Sequence, residues 1–100
     1  MNMQQMMIQA QKMQRELQKA QAELAKKEFK ASKAGLVSVT VLGSKEVVSI
    51  DIDKDGLDPE NKEMIEELLT SALNEIFAQI DEESEAINEK ITGRAGPLGF

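Results

Sequence analysis

The chain has 100 residues, of which 41% are apolar, and this is enough for a single small domain. Cysteine and histidine are both absent, which excludes disulfides, thiolate or imidazole metal ligands, a cysteine nucleophile and the usual general base near neutral pH. The formal net charge is −6, but residues 1–50 carry +4 and residues 51–100 carry −10, so an acidic protein can still present a local basic patch.

The sequence carries no recognisable signal peptide or membrane-spanning segment. The first 14 residues lack the apolar core of a signal peptide, and no apolar run approaches the roughly 18 residues of a membrane span. We therefore expect a small soluble cytoplasmic protein with no membrane partner.

A first helix is predicted from about residue 2 to about residue 27, because apolar residues recur there at alternating spacings of three and four. These residues are Met3, Met6, Ala10, Met13, Leu17, Ala20 and Leu24. The spacing is the a/d pattern of a heptad, held for three repeats. Since Met and Ala dominate this seam, it predicts a soft and adaptable contact surface.

Two or three strands are predicted next, from residues that alternate between apolar and polar. The ranges are 29–33, which is weak, 36–42 and 47–52. In the middle range Val37, Val39 and Val41 fall on one face. In the last range Val48, Ile50 and Ile52 are predicted to share one face, with Val47, Ser49 and Asp51 on the other.

The second helix is predicted from about Pro59 to about Ile91. Asp58 is placed to cap it, Pro59 suits its first position, and its apolar stripe is broad early and thin after Ile80. Thr92 and Gly93 are predicted to end it. The expected organisation is one domain over residues 1–93, followed by a flexible tail over residues 94–100.

The predicted helices are too long for one compact subunit. At about 1.5 Å per residue the first is roughly 39 Å long and the second nearer 50 Å. A compact domain of this length has a radius of gyration of about 13 Å, so both helices must protrude and expose their apolar stripes. A homodimer is the simplest assembly that covers them.

No catalytic or metal site is expected. Residues 51–56 resemble the start of a calcium-binding EF-hand loop, but Lys62 stands where the loop needs a bidentate Glu. The acidic residues of the second helix form no pair set apart by burial or by a partner, as acid–base catalysis requires. We therefore predict that the protein is not an enzyme and has no cofactor, metal or small-molecule substrate.

A row of cations is predicted along the first helix. Lys12, Lys19 and Lys26 fall at heptad position c and Arg15 at position f, so the four share the face opposite the a/d seam. They extend over about 21 Å and could track a phosphate backbone. The alternative interpretation is an ordinary solvated face.

The sequence resembles the YbaB/EbfC family of bacterial nucleoid-associated DNA-binding proteins over nearly its whole length. The similar stretches are residues 10–14, 21–25, 35–40, Gly43, 48–52, 68–75 and the closing Thr92-Gly93 with its Gly/Pro tail. The resemblance implies an α+β protomer of helix, antiparallel sheet of two or three strands, and helix. It also implies a tweezer-like homodimer whose long helices hold double-stranded DNA with little sequence specificity.

Two functions remain open. One is a nucleoid-associated protein that organises DNA and influences gene expression, with Lys12, Arg15, Lys19, Lys26 and Lys27 as its DNA-binding residues. The other is a protein-interaction or prefoldin-like holdase module. A prefoldin-like arm needs a narrow a/d seam on both helices, whereas the second stripe is wide from Ile65 to Phe77, as in a helix that packs on a sheet. With three Phe as the only aromatic residues, stacking on single strands is not expected.

Overall fold

A computed structural model describes residues 2–94 and shows a helix, an antiparallel sheet and a second long helix, in that order. The elements are α1 (Met3–Lys26), β1 (Glu28–Lys33), β2 (Val37–Leu42), β3 (Val47–Ile52), two short 3-10 turns (Lys54–Leu57 and Pro59–Asn61) and α2 (Lys62–Arg94). The predicted α+β architecture is confirmed, with three strands in the described part of the chain. The molecule is elongated, with extents of 69 × 23 × 14 Å.

The sheet has the order β1-β2-β3, so β2 lies in the middle. Its first hairpin is regular from the Glu28–Leu42 pair to the Lys33–Val37 pair. Ala34 and Gly35 form the turn with φ of 57° and 67°. Two successive residues in the left-handed region are characteristic of the type I′ turn, whose twist matches that of a two-stranded hairpin.

The core lies between one face of the sheet and α2. Val37, Val39 and Val41 are almost completely buried, as the alternation in β2 predicts, and they pack with buried residues of α2 such as Ala72 and Ile76. α2 packs mainly against β1 and β2. The opposite face of the sheet is polar and exposed, which explains why one side of each strand carries Ser, Thr or charged residues.

β3 departs from the predicted alternation at Val47. A bulge between Thr40 and Val41 places Val47 directly opposite Val41, while Ile50 pairs with Val39. Because paired residues point to the same face, Val47 shares the core face with Ile50, and the prediction that it points to the other face was wrong. α2 does not extend over this strand, so Val47 and Ile50 remain 42% and 48% exposed.

α2 begins and ends slightly later than predicted. The Asp58 side chain accepts the Glu60 N–H at 2.9 Å, as its capping position predicts, but the first turn is a 3-10 turn and the α-helix begins at Lys62. The helix then continues through Thr92 and Gly93. The Thr92 hydroxyl donates to the Asn88 carbonyl one turn earlier. Arg94, which was expected in the tail, is its last residue, and residues 95–100 of the predicted tail lie outside the described residues.

The turn between β2 and β3 holds the C-terminal end of α1 against the sheet. Gly43 donates its N–H to the Lys27 carbonyl at 2.9 Å, and Ser44 donates to the Ala25 carbonyl at 3.2 Å. These bonds satisfy carbonyls that a helix end leaves without an intrahelical partner. The approach is so close that a side chain at Gly43 would overlap the backbone carbonyl of Leu24.

We therefore expect Gly43→Ala to lower the free energy of unfolding by about 1–3 kcal/mol, because the added methyl group must displace backbone atoms. Urea denaturation at fixed protein concentration measures this change. Gly93→Ala is the matched control, since nothing lies within 4 Å of the methyl group it would add. Equal stability of Gly43→Ala and the wild-type protein would contradict the contact.

Candidate nucleic-acid interface

The two helices pack antiparallel along the C-terminal half of α1. Leu24 is buried and Leu17 and Ala20 are half-buried, so the predicted a/d seam faces a partner over this half. Gln21, at the adjacent e position, donates to the Ser84 carbonyl and to Asn88 Oδ1, both at 3.2 Å. These contacts fix the rotation of α1 about its axis and leave its c and f positions facing solvent.

The predicted row of cations lies on this outward face. Lys12, Arg15, Lys19 and Lys26 are all exposed. Within residues 2–94, none of the four takes part in an ion pair. An anion that approaches α1 from this side therefore meets cations whose charge is not compensated by a close carboxylate.

Lys27, the fifth predicted DNA-binding residue, lies elsewhere. It follows the last residue of α1, has extended backbone angles and falls at heptad position d, so it lies outside the row of c and f positions. Its Nζ is 2.7 Å from Glu83 Oε1 and 5.1 Å from the centre of the Phe29 ring. The structure thus brings four of the five predicted residues onto one face and turns the fifth towards α2.

Two further lysines bind acidic residues of α2. Lys33 Nζ is 2.6 Å from Glu75 Oε2, and Lys45 Nζ is 2.9 Å from Asp81 Oδ1. Lys33 is the last residue of β1, and Lys45 lies in the turn between β2 and β3. Acidic residues of α2 therefore compensate Lys27, Lys33 and Lys45, whereas they do not compensate the row of cations on α1.

The sequence did not predict one cation in the arm, the part of the molecule in which α1 and α2 pack side by side beyond the sheet. Lys90 of α2 lines a groove of about 360 Å³ together with Lys19 of α1. Glu16 and Glu23 also line this groove, so it is mixed in charge. The available signal was that Lys90 immediately precedes Ile91, the last residue of the apolar stripe, which places it at the edge of the helix–helix contact.

The EF-hand-like stretch has a structural role. Asp53 accepts the Asp55 N–H at 2.9 Å and so caps the first 3-10 turn, while Gly56 is buried beside Ile65. Among the described residues, no three Asp or Glu side chains converge as metal ligands would. No helix in that part of the chain is both apolar enough and long enough to cross a bilayer.

The described elements are those of an α+β protein whose long first helix carries an exposed row of cations. The chain belongs to the YbaB/EbfC DNA-binding family, whose model matches residues 1–95. This match confirms the family that the sequence resemblance indicated.

Relatives and a solved structure agree with this assignment. A nucleoid-associated protein of Lachnoclostridium phytofermentans is 43% identical over 99 residues, which cover 98% of this chain and 83% of that protein. One from Mycoplasmopsis pulmonis is 44% identical over 100 residues, which cover 100% of this chain and 97% of that protein. The crystal structure of an uncharacterised protein from Helicobacter pylori is similar at a TM-score of 0.78 and 26% identity, over 93% of this chain and 99% of the other.

Proposed function

We propose that this protein binds double-stranded DNA through the outward face of α1, with Lys12, Arg15, Lys19 and Lys26 neutralising phosphates. The observation that carries the proposal is the absence of ion pairs at these four exposed cations within residues 2–94, although the chain is acidic overall. Release of counterions from the phosphates supplies most of the binding free energy in such a contact.

Lys27 contributes less in this proposal than the other four residues. Its bond to Glu83 must break, or the carboxylate must approach the DNA with it, before it can neutralise a phosphate. The remaining acidic residues of α2 repel DNA, so the binding is weak and confined to the α1 side of the arm. Contacts to phosphates carry no base information, so the protein has little sequence preference.

The proposed setting is the bacterial nucleoid in the cytoplasm, where DNA is abundant and weak, non-specific binding is sufficient to organise it. The name nucleoid-associated, which the relatives from Lachnoclostridium and Mycoplasmopsis carry, supports this setting. An effect on gene expression follows if the protein occupies promoter DNA. The holdase alternative is not favoured. The first half of α2 packs Ile65, Ala72 and Ile76 into the core against the sheet, so it does not form the narrow a/d seam that a prefoldin-like arm needs.

We further propose that the protein is a homodimer joined through β3. Within residues 2–94 this strand has no hydrogen-bonding neighbour on its outer edge, and its apolar side chains other than Ile52 are exposed. The exposed large apolar residues of this region are Val47, Val48, Ile50, Leu57 and Met64. A second copy that packs there would cover these side chains and place two arms on one particle.

The mass of the particle tests the dimer. Light scattering at micromolar concentration is expected to give about twice the chain mass of 11.1 kDa. Ile50→Lys places a charge in the interface and should give a folded monomer, whereas Ser49→Lys, on the polar face of the same strand, should remain a dimer. A folded wild-type monomer would refute the proposed assembly.

The salt dependence of binding tests the phosphate contact. If each protomer contacts about three phosphates, the dimer neutralises about six, and log K should fall against log salt with a slope of about −5. A fluorescence-anisotropy titration on random duplexes measures the slope. A flat response, or strong preference for one duplex among many, would count against the proposal.

The position of the interface is tested by Lys12→Gln, Arg15→Gln and Lys19→Gln combined in one variant. We expect affinity at 0.1 M salt to fall at least about tenfold on every sequence and the slope to flatten by several units. The helix should lose only a few tenths of a kcal/mol, roughly, because Gln is a good helix former.

The matched control removes the same number of cations elsewhere, as Lys30→Gln, Lys54→Gln and Lys62→Gln. All three lysines are exposed and lie outside α1. If the control loses as much affinity as the α1 variant, net charge rather than the α1 face determines binding.

A further inference from the structure

The N-terminal end of α1 carries an apolar surface that the described residues, 2–94, leave uncovered. Within residues 2–94, the exposed large apolar side chains form two groups, one around β3 and one here. Met3, Met6, Met7 and Ile8 make up the second group and are 78%, 54%, 59% and 57% exposed. Clusters of this kind on soluble proteins mark contact sites more often than isolated apolar residues do.

This surface continues the seam that α1 uses against α2. Met3 and Met6 occupy a and d positions, as Leu17, Ala20 and Leu24 do further along, and Met7 occupies the e position that Gln21 also holds. Gln21 lies beside Ser84 and Asn88, so the antiparallel spacing brings Arg94 level with about Met13. We call the a, d and e residues up to this point the tip seam; they are Met3, Met6, Met7, Ala10 and Met13, of which Met13 is half-buried and the others are exposed.

The charge around the tip seam favours an uncharged partner. Residues 2–11 contain no charged side chain, and the first one, Lys12, lies on the opposite face of the helix. The tip seam therefore offers nothing to attract a phosphate backbone, and two copies of it do not repel each other. A heptad seam without charges is suited to a second apolar helix.

We propose that the tip seam of one dimer packs antiparallel against the tip seam of another copy. The contact is isologous, so each tip gives the other the partner that α2 gives to Leu17–Leu24. In this arrangement Met6 lies level with Ala10 of the second copy and Met3 with its Met13, over about 16 Å of helix. The c and f positions, which carry the cations, stay outward.

The consequence is a chain of dimers joined at their arms. If the proposed DNA binding also holds, two duplexes held by different dimers become linked. The association itself does not depend on DNA, so its test and that of the proposed function give separate answers.

The test is sedimentation equilibrium of the full chain, without DNA, from about 1 µM to about 500 µM. We expect a mass that rises above the dimer with concentration. In the variant that combines Met3→Gln, Met6→Gln and Met7→Gln, the association constant between dimers should fall by more than about tenfold, because three apolar side chains are no longer removed from water on contact. A constant mass for the wild-type chain, or the same rise in the variant, would overturn the proposal.

Two controls identify the occupant of the seam. Ile8→Gln removes an equally exposed apolar residue from the same segment, but at position f, and should associate like the wild-type chain. Leu98→Gln with Phe100→Gln alters the end of the chain and should also leave association unchanged. If either variant changes association as much as the triple Met variant does, the tip seam is not the contact.

A cross-link tests the antiparallel register directly, because the chain has no cysteine of its own. When the variants Met6→Cys and Ala10→Cys are mixed and oxidised, position 6 should bridge to position 10 of the other copy. Either variant alone should cross-link much less, since its cysteines lie more than 7 Å apart in this register, beyond the reach of a disulfide. Equal cross-linking in all three samples would contradict the register.

Discussion

The surface of the arm depends on how the end of α1 is fixed to the sheet. Gly43 has no side chain to collide with the Leu24 carbonyl, and the N–H groups of Gly43 and Ser44 donate to the carbonyls of Lys27 and Ala25, so α1 leaves the sheet in a defined direction. The bonds from Gln21 to α2 then set its rotation. With both fixed, the heptad positions acquire different environments, since a, d and e face α2 along the C-terminal half of α1 while c and f face solvent.

The second determinant is the distribution of charge. The carboxylates of Glu75, Asp81 and Glu83 compensate Lys33, Lys45 and Lys27, and these surface pairs each add little to stability. Their larger effect is on the field around the molecule, because they remove positive charge from the sheet and leave it on the outward face of α1. A protein with a net charge of −6 thereby keeps a cationic surface about 21 Å long.

Much of this could be predicted from periodicity alone. The limits of α1, the buried face of β2 and the exposed row of cations follow from repeats of three to four or of two residues. The face of Val47 did not follow, because a bulge is a backbone event that leaves no periodic signal. Lys27 was named as a DNA-binding residue although it falls at heptad position d, outside the row, and its ion pair with Glu83 of α2 is a long-range contact that heptad spacing does not contain. The pairing of Lys33 and Lys45 with α2 is a long-range contact that local pattern does not contain.

The claim that DNA meets the outward face of α1 is tested most directly by NMR of the ¹⁵N-labelled protein titrated with a short random duplex. The account predicts that amide shifts move first around Lys12, Arg15, Lys19 and Lys26, with smaller changes on the acidic face of α2 and on the polar face of the sheet. Shifts concentrated on α2 or on the sheet, with those of α1 unchanged, would contradict it.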